Sequence, residues 1–118
     1  MSLSKVQKLL WMECKRIVRA REKNCFTCEA KNLEGVNAQT GHFIPSLTCG
    51  AFLRYDLRNL RLQCMRCNIH GGGQGAISYE RLMETEGQEY VDQLFRDKQK
   101  IIKAREHYEI LLEQYRFL

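Results

Sequence analysis

Two Cys-x-x-Cys pairs constrain this 118-residue chain more than any other feature. In Cys25-Phe26-Thr27-Cys28 and Cys64-Met65-Arg66-Cys67, two spacer residues let the backbone reverse so that both sulfurs face one point. Four thiolates at about 2.3 Å complete a tetrahedral zinc shell with no open position, as structural ions require. A redox dithiol needs only one such pair. The spacing therefore predicts one structural Zn²⁺ on Cys25, Cys28, Cys64 and Cys67, and leaves Cys14 and Cys49 to core packing. A chain this short buries a modest core, so a metal staple is physically useful. Paired cysteines that hold metal belong in a reducing compartment, which points to the cytoplasm. Residues 1–23 lack an apolar leader, and no apolar run approaches the roughly 20 residues that span a bilayer, so no membrane partner is expected.

The insert between Cys28 and Cys64 is too long for a short zinc ribbon and has room for a strand, a loop and a second strand. Periodicity predicts a basic helix over 4–21 with Ser2 or Ser4 as its cap. Residues 40–44 read as a strand stopped by Pro45, the only proline. Residues 46–56 read as an irregular loop, and 60–63 as a second strand leading into Cys64. The glycine-rich stretch 71–75 reads as a sharp turn or hinge. Helices follow over 78–86, capped by Ser78, then 88–96 and 98–117. The expected class is α+β: a small zinc core of treble-clef type with an N-terminal helix and a helical C-terminal half. Residues 1–118 then form one domain, divided into a basic helix (1–23), a metal core (24–75) and a helical tail (76–118).

The formal net charge is +5, and it is unevenly spread. Residues 1–23 carry +5, residues 24–75 carry +2 and residues 76–118 carry −2. An anionic partner, above all DNA, fits that asymmetry, although a solvated helix face would show the same charge. Arg54, Arg58, Arg61 and Arg66 cluster around the metal core, and Lys15, Arg16, Arg19 and Lys23 could extend the track. Arginine suits phosphates because its planar fork donates two hydrogen bonds at once. No base-reading helix is recognisable, so contacts to the DNA backbone and shape are expected. Tyr108, Tyr115 and Phe117 in the tail either cover the core or form a homodimer seam.

Residues able to support phosphodiester chemistry stand close to the cysteines. They are His42, Asn59, Asn68 and His70. Hydrolysis of a phosphodiester needs a base for the attacking water and a cation on the phosphate. An imidazole titrates in the right range for the base, and a second side chain must fix its tautomer. Each residue has a plainer alternative: a packed histidine, a turn-forming asparagine or a helix cap.

The runs Cys25-Phe26-Thr27-Cys28, Thr40-Gly41-His42-Phe43-Ile44-Pro45, Leu53-Arg54-Tyr55-Asp56-Leu57-Arg58-Asn59-Leu60 and Gln63-Cys64-Met65-Arg66-Cys67-Asn68-Ile69-His70 resemble the HNH, or ββα-metal, nucleases. With Gly87-Gln88-Glu89-Tyr90-Val91 they resemble more narrowly the phage NinG/Rap recombination endonuclease family. The resemblance implies a metal-dependent DNA endonuclease acting on branched recombination intermediates such as Holliday junctions or D-loops. It implies His42 as general base, Asn59 as the residue that orients it, and Asn68 and His70 as ligands of a catalytic Mg²⁺ or Mn²⁺. Phage or host recombination proteins would be its partners. Many HNH proteins carry an acid just before the base; Gly41 stands there instead, leaving the ion to Asn68, His70, Asp56 or water. A non-catalytic zinc-binding module that recognises DNA structure is the alternative, and an RNA-directed nuclease a weaker one.

Overall fold

The computed structural model describes all 118 residues. Helix α1 spans Leu3–Arg21, with Ser2 capping it by accepting from the Lys5 N–H at 3.2 Å. Its apolar positions Val6, Leu10, Cys14, Ile17 and Val18 fall on one face and are buried. That stripe packs against the last helix, and together they form most of the main core.

Strands β1 (Gln39–His42) and β2 (Leu60–Gln63) pair antiparallel, with His42 opposite Leu60 and Gly41 opposite Arg61. Side chains alternate across a strand, so Leu60 and Leu62 turn one face of this hairpin toward α1 while Gly41, Arg61 and Gln63 occupy the other. β1 ends at His42, two residues short of the sequence expectation. Asn59 accounts for this: its side chain bonds both backbone groups of Ile44 and bends the chain off the ladder.

The 46–56 segment is more ordered than an irregular loop. It contains a helical turn, α2 (Gly50–Leu53), whose Leu53 packs with Ile44, Cys49 and Leu94 in a second core. Gly50 is required there: at φ +81° its hypothetical Cβ would lie 2.6 Å from the Lys98 carbonyl oxygen.

Helix α3 (Gly75–Thr85) starts earlier than expected. Ser78 is not its cap but sits buried in the first turn, donating to the Gly73 carbonyl at 3.1 Å. α4 covers Gln88–Asp97, close to expectation. The long helix expected over 98–117 begins only at Ala104, as α5 (Ala104–Tyr115). Turns at Gln99 and Lys100 reset the phase, which lets Tyr108, Leu112 and Tyr115 face α1. Ile101, left outside this register, is 96% exposed.

Tyr108 and Tyr115 therefore belong to the chain's own core. Tyr108 donates to Ala51 O at 2.7 Å and Tyr115 to Tyr55 O at 2.9 Å. Neither is free for a dimer seam, whereas Phe117 is exposed. No helix is long and apolar enough to cross a membrane.

Candidate metal centre and histidine cleft

The first knuckle is shaped by its backbone. Cys25 N–H donates to Ala30 O, Glu29 N–H returns to Cys25 O, and Glu29 takes the positive φ that closes the turn. The second knuckle follows β2 directly and opens a wide helical turn, Arg66–His70, in which Asn68 N–H donates to Cys64 O at 2.9 Å. The hairpin thus carries Cys64 and Cys67 back to Cys25 and Cys28. All four Sγ atoms lie within 4.8 Å of one another.

That cluster fits zinc. Four sulfurs at 2.3 Å on a tetrahedron stand about 3.8 Å apart, and Cys28 Sγ is 3.7 Å from Cys64 Sγ. All six cysteines are free thiols rather than disulfides. Burial pushes the Cys67 thiol up to about 12. Burial acts the same way on Cys25, but hydrogen bonds from the Cys28 N–H and the Thr27 hydroxyl outweigh it and bring that thiol down to about 6. Four sulfurs this close cannot all ionise without a cation between them, and a Zn²⁺ ion would supply the missing charge.

Around the knuckles a polar network pins the glycine stretch, which is therefore not a free hinge. Buried Gln63 donates from Nε2 to Thr27 Oγ1 at 3.1 Å and to Gly73 O at 2.9 Å. Gly73 N–H donates to Cys67 O at 2.9 Å.

His42 stands at the end of β1 on the α1 side. Its ring stacks on Trp11 with centroids 5.4 Å apart and planes 12° off parallel. Nε2 lies 2.8 Å from Arg54 O. A carbonyl oxygen only accepts, so the proton sits on Nε2 and Nδ1 keeps its lone pair. Burial lowers the imidazole's pKa; the Arg54 carbonyl works against this and the Arg54 guanidinium with it. His42 is therefore neutral at pH 7. Together with Trp11, Lys8, Ser46, Arg54 and Tyr55 it lines a cleft of about 490 Å³.

Asn59 does not hold that ring. It is wholly buried, accepting from Ile44 N–H at 2.8 Å and donating to Ile44 O at 3.0 Å. Its backbone carbonyl also accepts from Phe43 N–H at 2.8 Å. Asn59 thus fixes the chain that follows His42, while the backbone of Arg54 fixes the imidazole.

Asn68 lies on the other face of the hairpin, beneath Gly41. A Cβ on Gly41 would meet Gln63 Oε1 at 2.1 Å and Asn68 Oδ1 at 2.8 Å. The Asn68 amide nitrogen donates to Gln39 Oε1 at 2.9 Å. His70 is exposed beside a third cleft, lined by Cys28, Arg66 and Gln74. The structure thus places Asn68 next to Gly41, but the ring of His42 points away from that face. Asp56 is no metal ligand: it caps the turn Leu57–Asn59 and pairs with Arg58. The donors beside Gly41 are the amide oxygens of Gln63 and Asn68, with no carboxylate, a set too poor in charge to hold Mg²⁺ or Mn²⁺ as a resident ion.

The expected basic track divides. Arg58 pairs with Asp56 at 2.6 Å and with Asp97 at 2.8 Å, and these bonds, that to Asp56 foremost, raise its pKa further. Its charge is spent inside the protein. Arg19 donates twice to Ala38 O, Arg16 donates to Tyr115 O, and Lys23 donates to Arg19 O. Arg19 and Arg16 tie α1 to its neighbours, while Lys23 closes the C-terminal end of α1 itself. Arg54 lines the histidine cleft, Arg61 a separate cleft, and Arg66 is exposed; Lys15 is half-buried on α1. Sequence reasoning missed Trp11 and Lys8. The only signal was position on a basic helix, which does not say which face meets the hairpin. His107 is half-buried against Phe52.

A family model described as Bacteriophage Lambda NinG protein matches residues 3–117. No curated protein and no solved structure matches the chain.

Proposed function

Since the chain belongs to the NinG family, we propose that it is a DNA endonuclease whose zinc knuckles hold a phosphodiester-cleaving site built around His42. The observation that carries this reading is the state of His42. It is a neutral imidazole with Nε2 bonded to a carbonyl and Nδ1 unpartnered, in a cleft that also offers Arg54 and Lys8. A base poised this way takes a proton from water, which attacks phosphorus, while the bond to the leaving sugar oxygen breaks. Arg54 and Lys8 neutralise the phosphate and orient it. The zinc core is read as treble-clef, with hairpin and Arg66–His70 turn in ββα-metal order. Asn68 and His70 lie off the histidine cleft, so an Mg²⁺ or Mn²⁺ ion held by them would not reach a phosphate bound beside His42. Branched recombination intermediates, Holliday junctions or D-loops, are the proposed substrates, and phage origin with a place in recombination accompanies that reading.

The separation of His42 from Asn68 across the hairpin, with glycine at 41, favours a second reading: a zinc-bearing DNA-structure-binding module without strand cleavage. One experiment decides between them. Zinc-loaded protein is incubated with linear, forked and four-way DNA, with and without Mg²⁺ or Mn²⁺. Cleavage by the parent and a loss of at least a hundredfold in His42→Ala, with zinc retained, is the expected result. Junction binding without cutting would leave the second reading standing, and full activity in His42→Ala would remove the imidazole from the chemistry.

A further inference from the structure

The largest cleft in the molecule lies along the outer edge of β2 and shares no lining residue with the histidine cleft. Its volume is about 530 Å³. The end of α1, the first knuckle, β2, α3 and α4 all contribute to it, and four of its lining residues are arginines: Arg21, Arg58, Arg61 and Arg81.

These arginines are not equivalent. Arg58 is neutralised by Asp56 and Asp97. Arg61 and Arg81 both stack against the Phe26 ring, with guanidinium carbons 5.3 and 5.5 Å from its centroid. Arg61 is held further by Tyr90 Oη at 3.0 Å and the carbonyls of Leu60 and Arg58. Its acid neighbour, Glu86, is 3.9 Å away. Arg81 pairs with Glu29 at 3.2 Å, but that carboxylate is largely exposed and such pairs contribute little. The Nε of Arg81 is buried without any hydrogen-bond partner. Arg21 closes the cleft from the last turn of α1 and is paired with no acid. The remaining acid, Glu22, is spent on the Leu62 N–H, and burial raises its pKa, which weakens its hold on a negative charge.

Rigid guanidinium planes stacked on an aromatic ring, one with an unsatisfied N–H, make a preorganised oxyanion receiver. The elements that carry them are fixed by the first knuckle, whose Phe26 N–H donates to Leu62 O at 2.8 Å, and by the apolar core through α1. We propose that this cleft is a second phosphate-binding site, formed by Arg21, Arg61 and Arg81, which grips the DNA backbone away from the histidine cleft. With two separate phosphate grips, the protein would hold two stretches of backbone at once, as a branched substrate presents them. The proposal rests on the DNA reading above but not on cleavage.

The test measures binding of a fluorescein-labelled four-way DNA junction to zinc-loaded protein, without Mg²⁺ or Mn²⁺, across a salt series. Every phosphate that the protein ceases to neutralise lowers the slope of log affinity against log salt by about 0.9. Arg21→Gln/Arg81→Gln should therefore lower the slope by roughly 1 to 2 and weaken binding about tenfold at 0.1 M salt. Arg105→Gln/Arg116→Gln, a charge-matched change on and just beyond α5, should leave both unchanged. Arg81→Lys keeps the charge but loses the fork, and should recover the slope without recovering full affinity. An unchanged slope in the Arg21/Arg81 pair, or an equal loss in the α5 control, overturns the proposal. Zinc content and the far-ultraviolet spectrum establish that the variants are folded. Failure here leaves His42 chemistry intact; loss of cleavage in a variant that still grips the junction would speak only to the histidine cleft.

Discussion

The zinc knuckles and the α1–α5 core hold their shape by different forces. Around the cysteines the only apolar side chain packed on the buried trio Cys25, Cys64 and Cys67 is Leu33. The α1–α5 region buries twelve residues, among them Val6, Leu10, Ile17 and Tyr108, in one continuous cluster. In the first region a few strong bonds to one ion would replace packing; in the second, many weak contacts add up. The hairpin belongs to both, since Leu60 and Leu62 lie in the apolar cluster while Gln63 and Cys64 lead into the knuckle. A site on this hairpin is therefore anchored at one end by the cysteine cluster, which a metal ion would lock, and at the other by hydrophobic packing.

Three measurements break or sharpen this contrast. The largest effect should come from chelation, because structural zinc contributes roughly 10 kcal/mol or more in small metal-folded units. Elemental analysis should find one zinc per chain. After chelation, hydrogen exchange should become fast at the amides of Cys25, Asn68 and Gly73, while α1 and α5 stay protected. Equal loss in both regions would mean the two forces are not separable.

A smaller effect is expected from Tyr108→Ala. It empties the centre of the apolar cluster and removes the hydrogen bond to Ala51, at a cost of about 3–5 kcal/mol in a denaturant melt. Zinc stoichiometry in the folded variant should stay at one. A variant that melts like the parent would show that α5 adds little to the core.

The smallest is a pH effect. Burial, foremost, lowers the pKa of both His42 and His107, so in the folded protein they stay neutral where the unfolded chain already binds protons. The unfolded state then binds more protons, and stability falls as pH drops below about 6.5. The stabilising contribution is full above that pH and is lost towards the lower folded-state values. Trp11, the only tryptophan, stacks on His42 and should report its protonation by fluorescence quenching, with a midpoint below that of a free imidazole. A midpoint at or above about 6.5 would contradict the burial of that ring.

What the residues disclose and what they conceal follow the range of the interactions. The cysteine quartet is legible because its rule is local, two residues between ligands, twice over. Helix α1 and strand β2 are legible from period alone. The break at 98–103 is not, because the continuous stripe hides a phase reset imposed by Tyr108 and Tyr115 docking on α1. Asn59 reads from residue type as the group that orients His42, but its side chain bonds the backbone of Ile44; the ring of His42 is held by a carbonyl of Arg54, and residue type carries no information about carbonyls. Arg58 reads as a DNA contact because the partner that consumes it, Asp97, lies in another helix. Lys8 and Trp11 join the cleft only once α1 has crossed the hairpin.

Gly41 has a consequence for how this molecule can vary. The space its missing side chain leaves is already filled by the carbonyl ends of Gln63 and Asn68, the nearer one 2.1 Å from where a Cβ would stand. Gln63 cannot withdraw freely, because its amide nitrogen braces the first knuckle and the glycine stretch together. An aspartate at 41 would thus need a shorter residue at 63, and that change alone would loosen the brace beside the ion. The two positions form a ratchet: each step is unfavourable alone, so a carboxylate is acquired here in one double exchange or not at all.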